Sequence, residues 1–343
     1  MIFIDGSMGE GGGAVLRLSV ALSAFTNQPL TIVNIRANRP NPGLRAQHLA
    51  GIKAVAELSE GKLEGAKVGS KKITFYPGEI EGMEKLKVEV GTAGSITLVL
   101  QALIIPLLKI KRETKLVISG GTDVAWSPPI DYFRFVFLPL LKKIGFNVEL
   151  KLLRRGYYPA GGGRVEVIVT PLHSSLKPLN LTSTFTFSSH IPYISGISHS
   201  SFVLSQKHVA ERQAKEARKF LFEKTGREAK IEVEYVNTLS PGSGLTLWAV
   251  GESGVAVGGS ALGKKGKSSE EVGREAAQDL LHTLNNKAII DRYMADQILP
   301  FLAIAGGKIT IPEWTGHAKT NLEVLKKFGF ELKVKDKFIT YHP

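Results

Sequence analysis

Hydrophobic positions along the chain alternate between short strand-like runs and longer runs of helical period, and the order of these runs repeats. LKKIGFNVEL (141–150) and LKKFGFELKV (325–334) share one pattern: the end of a helix, two lysines, a glycine stop, then a strand. Glycine accepts the left-handed conformation that closes a helix, and lysine offsets the carbonyl end of the helix dipole. Extending the pattern backwards predicts a strand at 86–90, an apolar helix at 95–109, a strand at 115–119, a helix at 128–144, and strands around 146–153 and 164–170. The first ninety or so residues predict the same order. A strand at 2–4 leads to a helix at 14–25, a strand at 30–35, a helix at 42–58 and strands around 72–76. A third copy is predicted from a helix at 291–305, a strand at 308–311, a helix at 317–328 and the closing strands. Its opening strand is not adjacent.

Between about 183 and 285 the rhythm changes to a strand, a long polar helix at 205–224, strands at 230–236 and 245–250, and a helix near 269–284. The pattern predicts a domain inserted into the third unit. We place the core at 1–182 and 277–343 and the insert at 183–276. GKKGKSSEE, from Gly263, reads as a basic connector or loop.

Composition narrows the chemistry. The longest apolar stretch, 95–110, is interrupted by Gln101 and Pro106 and is too short for a membrane span. Asp5 and Glu10 stand where a signal peptide needs a basic start and an apolar block, so a cytoplasmic chain is expected. Cysteine is absent, which removes thiolate nucleophiles and thiolate metal ligands. The formal net charge of +13 favours polyanions such as nucleic acid or nucleotides, although a well-solvated basic surface would also account for it.

Several stretches could carry chemistry. DGSMGEGGG (5–13) is a glycine-rich turn from a strand into a helix, where backbone N–H groups and the helix dipole suit an anion. Its Gly9, Gly11 and Ala14 fit the looser dinucleotide fingerprint, with Arg36 placed to suit a 2′-phosphate; a tight turn without a ligand is the alternative. Arg17 lies on a helix apolar on nearly every side, so it needs an anionic partner, either Glu10 or a bound phosphate. In IRANRPNPGLRAQHL (35–49), Arg36, Arg39 and Arg45 suit a shared phosphate, Gln47 points elsewhere, and His48 falls on the stripe of Ile52 and Val55 that a core histidine would occupy. Gln101, Asp296 and Gln297 are polar residues inside apolar helices. They suit either a purine edge or interhelical hydrogen bonds. Tyr293 and Pro129 could close on a base or simply pack. YYPAGGG (157–163) lies between strands and reads as a hairpin or bulge without chemistry. His173, His190, His199, His208, His282 and His342 show no metal-ligand spacing. His317 opens a strand-to-helix turn in EWTGHAKTN (313–321).

Taken in order, DGSMGEGGG followed by LR, IRANRPNPGLRAQHL, TAGSITLVLQ, SGGTDVAWSPP, GYYPAGGG, YMADQ and GHAKTN closely resemble the RNA 3′-terminal phosphate cyclase family. The resemblance covers nearly the whole chain and is weakest in the insert. It implies an α/β (α+β) core of three repeated βαβαββ units with a small thioredoxin-like inserted domain. It also implies an enzyme that uses ATP to convert an RNA 3′-phosphate into a 2′,3′-cyclic phosphate through a covalent histidine–AMP intermediate and an RNA–ppA anhydride. The matching histidine is His317. A neutral imidazole is a competent nucleophile near pH 7. By the same resemblance Gln101, Pro129, Tyr293, Met294, Ala295, Asp296 and Gln297 would contact the nucleotide, with Tyr293 and Pro129 around adenine. Arg17, Arg36, Arg39, Gln47 and His48 would contact phosphate or RNA, and Glu10 would hold a divalent cation, Mg or Mn. Lys319 is more basic than expected in some relatives. The implied partners are ATP and RNA 3′-phosphate ends, with no membrane and with oligomeric state open, a homodimer included. Three further readings of the sequence compete: a catalytically inactive cyclase-like RNA-binding or ribosome-assembly factor, whose kind lacks the histidine; an NADP-dependent oxidoreductase resting on the glycine fingerprint alone; and a passive RNA-binding module, which would bind with salt sensitivity and transfer no AMP.

Overall fold

Three four-stranded sheets share one topology in the computed structural model, which describes residues 1–342. The first unit comprises β1 (Ile2–Asp5), α1 (Gly13–Thr26), β2 (Leu30–Val33), α2 (Ala46–Leu58), β3 (Lys62–Glu64) and β4 (Ile73–Tyr76). The second comprises β5 (Lys85–Glu89), α3 (Ile96–Leu103), β6 (Thr114–Gly120), a helical stretch ending in α4 (Ile130–Tyr132) and α5 (Leu138–Lys143), β7 (Val148–Arg154) and β8 (Gly163–Val169). In each, the first two strands pair parallel and the last two add antiparallel, giving orders β1-β2-β4-β3 and β5-β6-β8-β7. Parallel neighbours need a crossover, and α1 and α3 provide it.

The third unit opens with β9 (Leu179–Leu181), a three-residue strand that hydrophobic periodicity did not resolve. The insert follows: β10 (Ile194–Ser201), α6 (Val209–Thr225), β11 (Ala229–Val236), β12 (Ser243–Val250), β13 (Ala256–Leu262) and α7 (Ser269–Asn285). Then α8 (Arg292–Ala305), β14 (Gly307–Thr310), α9 (Gly316–Lys327), β15 (Lys333–Lys335) and β16 (Phe338–Tyr341) complete the unit, with β9 parallel to β14 across the whole insertion. Its order, β9-β14-β16-β15, is that of the other two. The glycines of the two LKK repeats adopt positive φ, 99° at Gly145 and 87° at Gly329, which is why glycine stands there.

In the insert, β11-β10-β12-β13 form a sheet covered by α6 and α7, with an apolar cluster of its own. The 276/277 limit expected from the sequence falls within α7, whose Val272, Ala276, Ala277 and Leu280 belong to that cluster. Four helices differ from their patterns: that expected at 95–109 ends at Leu103 before a 3-10 turn at Pro106–Lys109, and that expected at 205–224 begins at Val209 after another at Phe202–Lys207. The 42–58 helix starts at Ala46, because Gly43 sits at φ 82° in a loop. The 128–144 helix widens into a π turn at Phe133–Phe137, just before Pro139, whose ring cannot accommodate a regular turn. The three units share one apolar core, and the insert meets it through Val255 and Ala256, which join that core, through the stacked pair Phe135–Trp248, 4.3 Å apart, and through polar contacts. Among the described residues, no helix is long and apolar enough to cross a membrane.

Candidate active site

Helix starts from all three units meet around the glycine-rich loop. Asp5 fixes the loop's entry by accepting from the Ser7 N–H (2.9 Å), the Ser7 hydroxyl (2.7 Å) and the Asn34 amide (3.2 Å). The glycines beyond are required by crowding from other elements. A Cβ on Gly9 (φ 56°) would overlap the Thr320 hydroxyl on α9, and one on Gly13 would overlap the His48 imidazole on α2. Gly12 caps α1 without any side-chain bond, so the first N–H groups of that helix are left for another acceptor.

His317 is the second residue of α9, whose N-cap Thr315 accepts from the Ala318 N–H (3.0 Å). Its Nδ1 is buried without a hydrogen-bond partner, while the side chain as a whole is 44% exposed, so Nε2 is the nitrogen open to a ligand. Nε2 lies 3.5 Å from a Glu10 oxygen, and the same oxygen lies 3.5 Å from the Arg39 guanidinium. Burial holds the His317 pKa below its usual value; Glu10 opposes this, and Arg17 and Arg39 add to it. The ring is therefore neutral at pH 7.

His48 is neutral for a related reason. Burial, then Arg17, Arg36 and Arg45, push it down to about 3. Its Nδ1 accepts the Arg45 N–H at 3.3 Å, which assigns the proton to Nε2, the nitrogen facing Gly13 and Arg17. His48 is thus a buried histidine on the core stripe whose Nε2 also lies beside the glycine-rich loop.

The arginines separate into different roles. Arg36, at φ 56°, donates to the carbonyls of Asn41 (2.7 Å) and Gly43 (2.8 Å), clasping its own loop. The expectation that Arg36, Arg39 and Arg45 face one anion changes for Arg36, which is engaged in the loop; Arg45 stands at the N-cap of α2 with an exposed side chain that makes no cap bond, and Arg39 is exposed as well. Its engagement also removes Arg36 from the 2′-phosphate role that the NADP reading gave it. Gln47 accepts the Ser95 N–H at 3.0 Å, tying the start of α2 to that of α3.

The polar residues inside apolar helices form one chain. Arg17 donates to Gln101 (3.4 Å), Gln101 to Gln297 (3.0 Å), and Gln297 to the Tyr293 carbonyl (2.8 Å). Arg17, Gln101, Asp296, Gln297 and Asn321 line a cavity of about 50 Å³ floored by Phe137. Burial lowers Arg17 to about 10 and raises Asp296 to about 7. Neither reaches an ion-pair partner there, so the cavity is short of one charge or hydrogen-bonding group. Tyr293 is 40% exposed; its ring meets the edge of Tyr132 at 6.2 Å and Arg292 at 4.9 Å. Tyr132 also donates to Asp291 (2.7 Å), the N-cap of α8, which brings the Pro129 turn to the start of that helix. Met294 and Ala295 are fully buried in the core, so the expectation that they contact nucleotide is corrected for their side chains: the helical period that points Tyr293 and Gln297 outward turns these two inward.

Glu10 does not stand in a metal cage. The described residues contain no group of three or more histidine, aspartate or glutamate side chains able to hold an ion, and Glu10 faces Arg39 and His317. The residues present do not fit a resident divalent cation. Sequence reasoning missed Asn321, one turn after His317, whose amide donates to the Asp296 carbonyl (2.9 Å) while its buried Oδ1 has no partner. Its spacing of four from His317 was the available signal. It also missed a buried cluster at the insert, where Arg155 binds Asp123 (3.2 Å), Asp131 (2.7 Å) and Glu234 (2.9 Å).

Comparison with known proteins agrees with the motif order. The family described as RNA 3′-terminal phosphate cyclase matches residues 8–335. Proteins named RNA 3′-terminal phosphate cyclase are 52% identical in Pyrococcus furiosus (97% of this chain, 95% of the relative), 49% in Thermococcus kodakarensis (95% and 92%) and 46% in Pyrobaculum aerophilum (97% and 93%).

Proposed function

The chain belongs to the RNA 3′-terminal phosphate cyclase family, and from that premise we propose that it cyclises RNA 3′-phosphate ends at the expense of ATP, through an adenylate carried on His317 Nε2. The observation that carries the reading is the placement of a neutral imidazole at the start of α9, with one nitrogen buried and the other open between Glu10 and Arg39.

In the first step the Nε2 lone pair attacks the α-phosphorus of ATP. The N–P bond forms, the bond to the bridging oxygen breaks, and pyrophosphate leaves with the electron pair. Arg39 and the N–H groups at the start of α1 would offset the charge on the transferring group. Gln101, Gln297 and Tyr293 suit the base, an amide pair offering donors and acceptors and a half-exposed ring offering a face. An RNA 3′-phosphate oxygen then attacks the adenylate and restores the histidine, giving the anhydride. The neighbouring 2′-OH attacks the RNA phosphorus and expels AMP. Activation is needed because an unmodified phosphate oxygen is a poor leaving group. A divalent ion would arrive on the ATP phosphates as part of the substrate, and no step is assigned to a resident one.

Incubation with α-labelled ATP, followed by a denaturing gel, tests the reading. The expected product is an acid-labile, alkali-stable adduct that is absent from His317→Ala. Label retained by His317→Ala would refute the assignment.

A further inference from the structure

We propose that Trp126 is a stacking platform for a nucleobase of the single-stranded RNA whose 3′ end enters the site; the proposal rests on the cyclase reading above. The chain has three tryptophans, and two are engaged: Trp248 stacks on Phe135 at 4.3 Å and Trp314 donates to the Asp336 carbonyl at 2.8 Å. Trp126 is 99% exposed. Its backbone sits at φ 66°, a conformation that bulky residues rarely adopt and that costs on the order of 1 kcal/mol or more. A smaller residue or glycine would relieve both the strain and the exposure, so local stability does not account for tryptophan here.

The loop around it is held on both sides. Ser127 donates its hydroxyl to the Val124 carbonyl (2.9 Å), the Ile130 N–H donates to the Thr122 carbonyl (3.0 Å), and Asp123 is locked by Arg155 (3.2 Å). A ring on an anchored backbone loses little freedom when a base stacks on it. The same loop reaches the site through a run of hydrogen bonds. The Pro128 carbonyl accepts from Thr97 (2.8 Å), Thr97 meets Ser95 (2.8 Å), and the Ser95 N–H is bound by Gln47 (3.0 Å). Pro129, the next residue, begins the turn that meets α8. The loop that carries Trp126 is thus tied through Pro128, Thr97 and Ser95 to Gln47 at the start of α2, next to His48, and its exposed ring is open to a strand whose 3′ end lies at His317. Single-stranded RNA fits this geometry. Every base offers a π face, so a stack tolerates any terminal sequence, and a net charge of +13 favours the polyanion.

The test measures the affinity of the full chain for a 3′-phosphorylated oligoribonucleotide and for the same strand with abasic sites at its last few nucleotides. Self-adenylation without RNA is followed in parallel. Trp126→Ala should weaken binding of the intact strand about tenfold, the scale of one lost base–aromatic stack. Trp126→Tyr should keep most of the affinity, and the abasic strand should bind wild type and Trp126→Ala alike. Adenylation should stay within about twofold, which also verifies folding. Undiminished affinity of Trp126→Ala, or an equal penalty on the abasic strand, would overturn the proposal. So would a changed oligomeric state with RNA affinity intact, which would assign the ring to a contact between copies. If wild type binds RNA in a Trp126-dependent manner but never adenylates, the platform stands and the cyclase reading fails.

Discussion

Replacing Arg36 and Arg39 separately by alanine should produce different defects, although the two lie three residues apart in one motif. Arg36 donates two charge-assisted hydrogen bonds to backbone carbonyls of its own loop, at 2.7 and 2.8 Å. Such bonds contribute roughly 1.5–3 kcal/mol each when buried, and the partial exposure of Arg36 reduces the pair to about 2 kcal/mol. For a chain of this length that corresponds to a fall in Tm of roughly 2–4 °C. Because the loop clasped by Arg36 carries Arg39 and leads into α2, adenylation should fall with it. Arg39 makes a single 3.5 Å pair with Glu10, both side chains 41% exposed, a geometry that contributes about 0.5 kcal/mol at most. Arg39→Ala should therefore leave Tm within about 1 °C, yet slow single-turnover adenylation on the order of a hundredfold, the scale of one lost oxyanion-type donor. Lysine at 39 should restore only part of the rate, since it lacks the planar fork. The assay pairs thermal melts with single-turnover adenylation per folded molecule. An unchanged Tm in Arg36→Ala, or a loss of more than about 3 °C in Arg39→Ala, would refute the division of roles.

Glu10→Gln should move the acid limb of the adenylation pH profile to lower pH, because Glu10 favours protonated His317 and only the neutral ring attacks; a limb moved to higher pH would contradict the geometry. Gly9→Ala should lower Tm and abolish adenylation, through both its φ of 56° and overlap with Thr320, and Thr320→Ala in the same chain should return part of the loss in a double-mutant cycle. Asp296, at about 7, holds its proton in the folded state at pH values where the unfolded chain has lost it. Its contribution is present below about pH 4 and is lost as pH rises through 7. Asp296→Asn should therefore gain stability relative to wild type as pH rises from 4 to 7, and parallel melts giving a pH-independent difference would show that Asp296 is not buried as described.

Local signals made the repeat legible in the sequence. A glycine after two lysines must close a helix, alternation must face a core, and both rules act within a few residues, so the second unit and most of the first could be written out before any coordinates, short of the three-residue strand β3, along with His317 at the mouth of a turn. The ordered motifs supplied the candidate site residues, through the family they resemble. Long-range pairing decided the rest. The strand β9 is three residues long and acquires its meaning only by pairing with β14 across the inserted domain. Arg36 and Arg39 look equivalent in sequence, and only the fold of their loop gives one its own carbonyls and the other Glu10. Arg155 carries no local mark at all; its partners come from two other segments, Asp123 and Asp131 from the stretch after β6 and Glu234 from β11 of the insert, and a buried guanidinium is tolerable only once tertiary packing has assembled them. Sequence alone determined most of the elements, because propensity and capping are short-range, and the resemblance of its motifs singled out His317. Which nitrogen of that ring is free, and which arginine faces it, were decided by tertiary structure, because those depend on what other helices bring alongside.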